Sequence, residues 1–236
     1  MKKIKDVCVI VQARLSSQRC PNKMIRPFAD TTLTDLCIEK LLNSKVIPKE
    51  NIVLSVHEPE LVAIGEKHGV NIFRRSKKSA FWDGGEGSHI KDMYEWWDKI
   101  PFKYTVFVNA CAPMLRIQTI DNFFVSYMNS ESDGMFAVLP KKNYFWNSSG
   151  EMINEWPARE PCMNTKAVEK TFEAAHCLYA SRLNTIGHGI WMGDFNVPGD
   201  IELVEMPEAD AFDVDYEWEF QAYEAMYIQL KAQELI

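Results

Sequence analysis

The chain has 236 residues, 47% of them hydrophobic, and a formal net charge of −7. That much apolar material can bury one sizeable α/β core, and the acidity argues against nucleic acid as an electrostatic partner. There is no run of about eighteen apolar residues, no signal-peptide pattern at the start and no C-x-x-C pair among Cys8, Cys20, Cys37, Cys111, Cys162 and Cys177, so the expected setting is a reducing cytoplasm, without membrane span, zinc or disulfides.

The first element is an apolar, β-branched run from Val7 to Val11, which suits a strand buried on both faces. The residues after it change character: Arg14, Ser16, Ser17, Arg19, Pro21, Asn22, Lys23 and Arg26 form a basic, hydroxyl-rich loop. Ligands of open α/β sheets bind beyond the carboxyl ends of the strands. Fixed cations and hydroxyls placed there suit a polyanion such as a nucleoside triphosphate; the plain alternative is a solvated surface loop. Neither a Walker loop nor a G-x-G-x-x-G fingerprint follows the strand.

Helical spacing then runs through Leu33, Leu36, Cys37, Lys40 and Leu41, with Thr31 or Thr32 as cap. Asn51–His57 reads as a second strand. A helix is expected from Pro59 to a stop at Gly69, and VNIFRR supplies a third strand. Residues 76–88 read as a polar loop, and HIKDMYEWWDKI as a helix capped by Ser88. Tyr104 to Val108 is a buried strand ending in Asn109, Ala110, Cys111, Ala112 and Pro113, with a helix from about Gln118. Asn109 can also simply bond its own turn. A nucleophilic role for Cys111 with His176 as base is set aside, because a lone Cys after a strand is more often packing. Gly134–Pro140 is another strand. Residues 141–171 lack a period and are expected to form a hairpin-like excursion with its own aromatic contacts from Tyr144, Phe145, Trp146 and Trp156. GHGIWMGDFNVP and DIELVEMP are strand-like. Alternating strands and helices predict an α/β, mostly parallel sheet with helices on both faces.

Near the end, Phe212-Asp213-Val214-Asp215 precedes a last helix carrying Phe220. In an extended segment both aspartates point to one face. Two like charges there need a cation between them, and Mg²⁺ favours one or two carboxylates plus phosphate oxygens. Alternatively one aspartate merely caps the helix that begins near Tyr216, and Asp215 is expected to do some capping in either case.

Three ordered stretches resemble the sugar-activating cytidylyltransferases: the acylneuraminate (CMP-sialic acid) and CMP-Kdo synthetases and the spore-coat polysaccharide cytidylyltransferases. The opening motif is matched by Ala13, Arg14, Ser16, Ser17, Arg19, Pro21 and Lys23, the middle by Asn109 to Pro113, and the tail by Asp213, Asp215 and Phe220. Ser16 stands where the family usually has Gly, which matters if the backbone there needs a positive φ. The resemblance implies a three-layer nucleotide-diphospho-sugar transferase (Rossmann-like) fold spanning 1–236 as one domain, with 141–171 as a dimerisation and sugar-site excursion. It further implies transfer of CMP from CTP to the hydroxyl of an acidic sugar, with pyrophosphate released and Mg²⁺ held by Asp213 and Asp215. Arg14, Ser16, Ser17, Arg19 and Lys23 would take the triphosphate, with Ala13 beside them; Arg75 and Ser88 the cytosine; Asn109 would face both nucleotide and sugar; and Arg116, Arg159 and Lys166 the sugar. Two other readings remain: a metal-dependent glycosyltransferase using Asp-x-Asp, and a non-catalytic nucleotide-binding relative.

Overall fold

The computed structural model describes residues 1–82, 89–158 and 161–235. The first apolar run forms β1 (Val7–Gln12), and Val7 to Val11 are completely buried. Val7, Val9 and Val11 enter one core and Cys8 and Ile10 the other, because successive side chains of a strand point to opposite faces. β1 lies mid-sheet, parallel to both β2 (Ile52–Val56) and β4 (Tyr104–Val108). β3 (Asn71–Arg74) extends the sheet beyond β2. On the other side come β6 (Thr171–Arg182), β5 (Gly134–Lys141) and β7 (Ile201–Glu205), giving the order β3-β2-β1-β4-β6-β5-β7. β6 is antiparallel to both of its neighbours, and the other pairings are parallel.

Helices cover both faces. α1 (Leu33–Leu42), α2 (Pro59–His68), α5 (Ile117–Asn129) and α7 (Glu217–Ala232) bury their apolar stripes in the larger core. Thr32 caps α1 by accepting from the Asp35 N–H at 3.1 Å. Pro59 opens α2, and Gly69 closes it in the left-handed conformation at φ 62°. Three shorter α-helices accompany them: α3 (Lys77–Ala80), α4 (Ile90–Met93) and α6 (Leu183–Gly187). The opposite core is aromatic, built from Tyr94 and Trp96 with Phe107 and Trp191 packed against them.

Several sequence expectations need correction. The loop predicted over 76–88 contains α3, started by the Ser76 hydroxyl accepting from the Ser79 N–H at 3.1 Å. The helix predicted from His89 stops after one turn, because Tyr94 and Trp96 turn into the aromatic core and Tyr94 stacks on Trp191 at 4.6 Å. Its cap is the His89 ring, which accepts from the Lys91 N–H at 3.1 Å; Ser88, expected there, lies outside the described residues. GHGIWMGDFNVP is not a strand: its backbone is left-handed at Gly189 (φ 83°) and Met192 (φ 66°), which breaks a ladder. The excursion does close like a hairpin through a Trp146–Met152 bridge, with Tyr144 against Trp146 and Trp156.

The sheet also fixes where a ligand can enter. From β1 the chain moves outward through β2 and β3, then crosses to β4 on β1's other side. The loops leaving the carboxyl ends of β1 and β4 therefore diverge and open a crevice between them.

Candidate active site

The loop after β1 is pinned at both ends. The Leu15 N–H donates to Glu58 at 2.9 Å, and Asn22, at φ 56°, accepts from the N–H groups of Ile25 and Arg26 at 3.0 and 3.1 Å. The left-handed residue is thus Asn22, a residue type that tolerates it. Ser16 has no positive φ, so serine in place of the family's glycine carries no backbone strain.

Between the pins the loop borders an open cleft of about 670 Å³, lined by Gln12, Ala13, Arg14, Ser16, Ser17, Gln18, Arg19, Lys23, Met24, Phe81, Trp82, Cys111 and Asp215. Arg14 donates to the carbonyl of Trp82 at 3.1 Å and tethers the chain after α3 to the cleft wall. The tail of the chain closes the other side. Lys23, 8% exposed, donates through Nζ to the Val214 carbonyl and lies 3.5 Å from Asp215 Oδ1; Arg19 pairs with Asp215 Oδ2 at 2.7 Å. Cations from the front and the Asp215 carboxylate from the end of the sequence meet at this cleft.

α7 holds that meeting point in place. Glu219 reaches back to accept from the N–H groups of Asp215 and Tyr216 at 2.7 and 2.8 Å, the capping-box arrangement. This corrects the expectation that Asp215 itself caps the helix and leaves its carboxylate to the cations. The segment around it is extended but pairs with no strand; the Val214 N–H donates to the Cys111 carbonyl at 2.9 Å. Arg26 forms a two-bond fork with Glu217 at 2.7 and 2.8 Å and lies 4.3 Å over the Phe220 ring. Phe220 meets Phe28 edge-on at 5.4 Å.

Asp213 is the electrostatic anomaly. One of its carboxylate oxygens is buried without a hydrogen-bond partner among the described residues. Burial raises its carboxyl above the usual range, against the pull of Lys23 and with Asp215 and Glu219 adding to the rise. Burial also pushes the neighbouring Cys111 thiol up to about 11, so at neutral pH it is an uncharged thiol and a poor nucleophile. The Lys23 ammonium, which burial alone would lower, is held above the ordinary lysine value by the groups around it, Cys111 first and then Asp213 and Asp215. An orphaned buried oxygen on Asp213 beside the Asp215 carboxylate fits a hard divalent cation of the Mg²⁺ kind. A different three-ligand set, Asp35, Glu39 and His68, lies apart from the cleft, and Lys67 neutralises its Asp35 at 2.7 Å.

The inner end of the cleft continues into a space of about 280 Å³ bordered by Gln12, Arg75, Ser79 and Trp82. Arg75 is 4% exposed; its Nη2 donates to the Ser79 carbonyl at 2.9 Å while Nε lacks a partner among the described residues. Burial lowers its guanidinium to about 10. The other expected residues are elsewhere. Asn109 spends its amide on its own turn, accepting from the Cys111 N–H at 2.9 Å and donating to the His176 carbonyl at 3.2 Å. Arg116 pairs with the buried Asp210 at 2.8 Å and borders a separate cavity beside β7. Lys166 is exposed on the excursion, and Arg159 lies outside the described residues.

Sequence reasoning weighed His176 only as a base for Cys111 and set it aside. It has φ 55° where the β5–β6 register breaks, its Nδ1 lies 3.4 Å from the Tyr179 hydroxyl, and it is close enough to Asp213 to favour that carboxylate. A bulge re-aims a side chain, and no periodicity announces it.

Relatives in sequence and fold share this frame. Post-translational flagellin modification protein B of Campylobacter coli is 23% identical, over 93% of this chain and 94% of its own. Spore coat polysaccharide biosynthesis protein SpsF of Bacillus subtilis (strain 168) is 32% identical over 79 residues, about a third of each chain. A solved CMP:2-keto-3-deoxy-manno-octonic acid synthetase complexed with CTP superposes with a TM-score of 0.64 at 12% identity, covering 94% of this chain and 98% of its own; the fold is that of the nucleotide-diphospho-sugar transferases. The cytidylyltransferase family model matches residues 8–185, from β1 into α6. The chain belongs to the cytidylyltransferase family and is a nucleotidyltransferase.

Proposed function

We propose that this protein transfers CMP from CTP to the hydroxyl of an acidic, sialic acid-like sugar, releasing pyrophosphate. One observation carries the reading: Lys23 and Arg19 converge on Asp215 at the crevice between the β1 and β4 loops, with Asp213, one oxygen of which is buried and unpartnered, close enough to feel both Lys23 and Asp215. Phosphoryl transfer of this kind asks for charge neutralisation and in-line placement more than covalent help. Arg14, Arg19 and Lys23, with the hydroxyls of Ser16 and Ser17, bind the triphosphate, and the cations stabilise charge growing on the departing pyrophosphate. Asp213 and Asp215 would hold Mg²⁺. When bound, that ion supplies phosphate neutralisation and a lowered pKa for the attacking hydroxyl. The buried Arg75 faces the base.

The acceptor is placed on the β6 side, where His176 and Tyr179 stand near Asp213. An acidic sugar is supported by the name of the solved neighbour's substrate, an octonic acid. Arg116, tied to Asp210, is not available to bind it from the cleft without breaking that pair. Exposed apolar side chains on the excursion, Trp146, Ile153 and Met163, support a homodimer built through it. The Ile153→Glu variant is expected to sediment as a monomer while the wild type sediments as a dimer.

The test is pyrophosphate release from CTP and the other nucleoside triphosphates, crossed with a panel of acidic and neutral sugars. Release with CTP plus an acidic sugar, stopped by chelation and restored by Mg²⁺, is expected. Release that ignores the acid group, or a nucleoside diphosphate as product, refutes it.

A further inference from the structure

Gln12 closes β1 and borders both the cleft and its inner extension. Its Oε1 accepts from Trp96 Nε1 at 2.9 Å and more weakly from the Ser55 hydroxyl at 3.4 Å. A glutamine amide can be turned either way, but an indole N–H only donates. The oxygen is therefore committed to Trp96, which is completely buried. Nε2, with its two hydrogens, is left for the cavity and has no partner among the described residues. Two residues that line the same space, Arg75 and Trp82, also carry a donor nitrogen (Nε and Nε1) buried without a partner among the described residues. Gln12 lines the cavity itself, and a ligand with adjacent acceptors there can take its free amide hydrogens.

We infer that Gln12 is a base-reading residue and that Trp96 is the positioning residue that holds its amide in the donating orientation, toward the adjacent O2 and N3 acceptors of cytosine. Uracil carries an N–H in place of the N3 acceptor and sets donor against donor. This inference rests on CTP as the nucleotide, but not on the identity of the sugar.

The test is therefore nucleotide binding without turnover: calorimetric titration of CTP and of UTP into wild type, Gln12→Glu, Gln12→Ala and Trp96→Phe. Gln12→Glu keeps the shape and removes the donors. Trp96→Phe keeps a buried ring and removes the N–H. The wild type should prefer CTP. Both Gln12 variants should bind CTP on the order of tenfold more weakly and lose most of the preference over UTP, and Trp96→Phe should narrow the same ratio. A purely structural role would lower the melting temperature and leave the CTP-to-UTP ratio alone. An unchanged ratio in Gln12→Glu, or a wild type that binds UTP as well as CTP, overturns the inference; if Trp96→Phe fails to fold, the Gln12 variants still decide it. Failure of the sugar panel would overturn the proposed acceptor and leave this ratio untouched.

Discussion

Asp213 is the residue on which stability and activity pull in opposite directions. A carboxyl oxygen buried without a partner destabilises the unliganded fold. Replacing it by an amide removes the charge at nearly constant shape. Asp213→Asn is therefore expected to raise the melting temperature by about 2–4 °C, the response of a domain this size to roughly 1 kcal/mol, while pyrophosphate release falls at least about a hundredfold. Differential scanning calorimetry and a turnover assay on one preparation read both. Loss of both together would show that Asp213 is structural. Lys23→Ala should lose turnover on a similar scale and keep a cooperative melt, since Arg19 still pairs with Asp215. Arg116→Ala should do the reverse: it strands the buried Asp210 with the Thr119 hydroxyl as its remaining side-chain partner, costs about 1–3 kcal/mol, and leaves CTP affinity unchanged.

At the scale of elements, the decisive contact is between the β1 loop and α7. The Arg26 fork holds the Glu217 carboxyl down to about 2. The sign follows from linkage: a carboxyl depressed on folding stabilises above its unfolded pKa, near 4.5, and that contribution disappears as pH falls toward about 2. Glu217→Gln should therefore melt below the wild type at pH 7, and the two curves should merge near pH 2. Because the pair is solvent-exposed, the gap is small. Phe220→Ala tests the apolar half of the contact. It should cost about 3–5 kcal/mol by leaving a cavity under Phe28, and it should raise the KM for CTP by loosening the loop. Both the loop and the helix are plain in the sequence, since β-branched and 3.6-residue patterns report local geometry directly. Their clasp is not, because nothing local pairs Arg26 with Glu217. The same holds for Gln12, whose importance depends on a tryptophan 84 positions away, and for Asn109 and Arg116, whose partners only the folded chain reveals.

Over the whole molecule, the sheet order sets where chemistry is possible, and much of it follows from sequence because alternating strands and helices allow few topologies. What patterning could not supply is the antiparallel entry of β6 between β4 and β5, with its bulge at His176. The neighbouring turn is equally hidden: a Cβ on Gly134 would lie 1.7 Å from the Met192 carbonyl, so the backbone itself packs there. Among the described residues no helix is long and apolar enough to cross a membrane.

Lys23 and the carbonyl it grips are 191 positions apart. A ribosome adding 5–20 residues per second needs roughly 10–40 s to cover that interval. Throughout it, the nascent polypeptide displays a basic loop that lacks its partners Asp215 and Glu217, and an unfinished catalytic hollow. Competence for chemistry is thus among the last properties the growing chain acquires, and a truncation that removes α7 should abolish nucleotide binding even though all seven strands of the sheet have already been made.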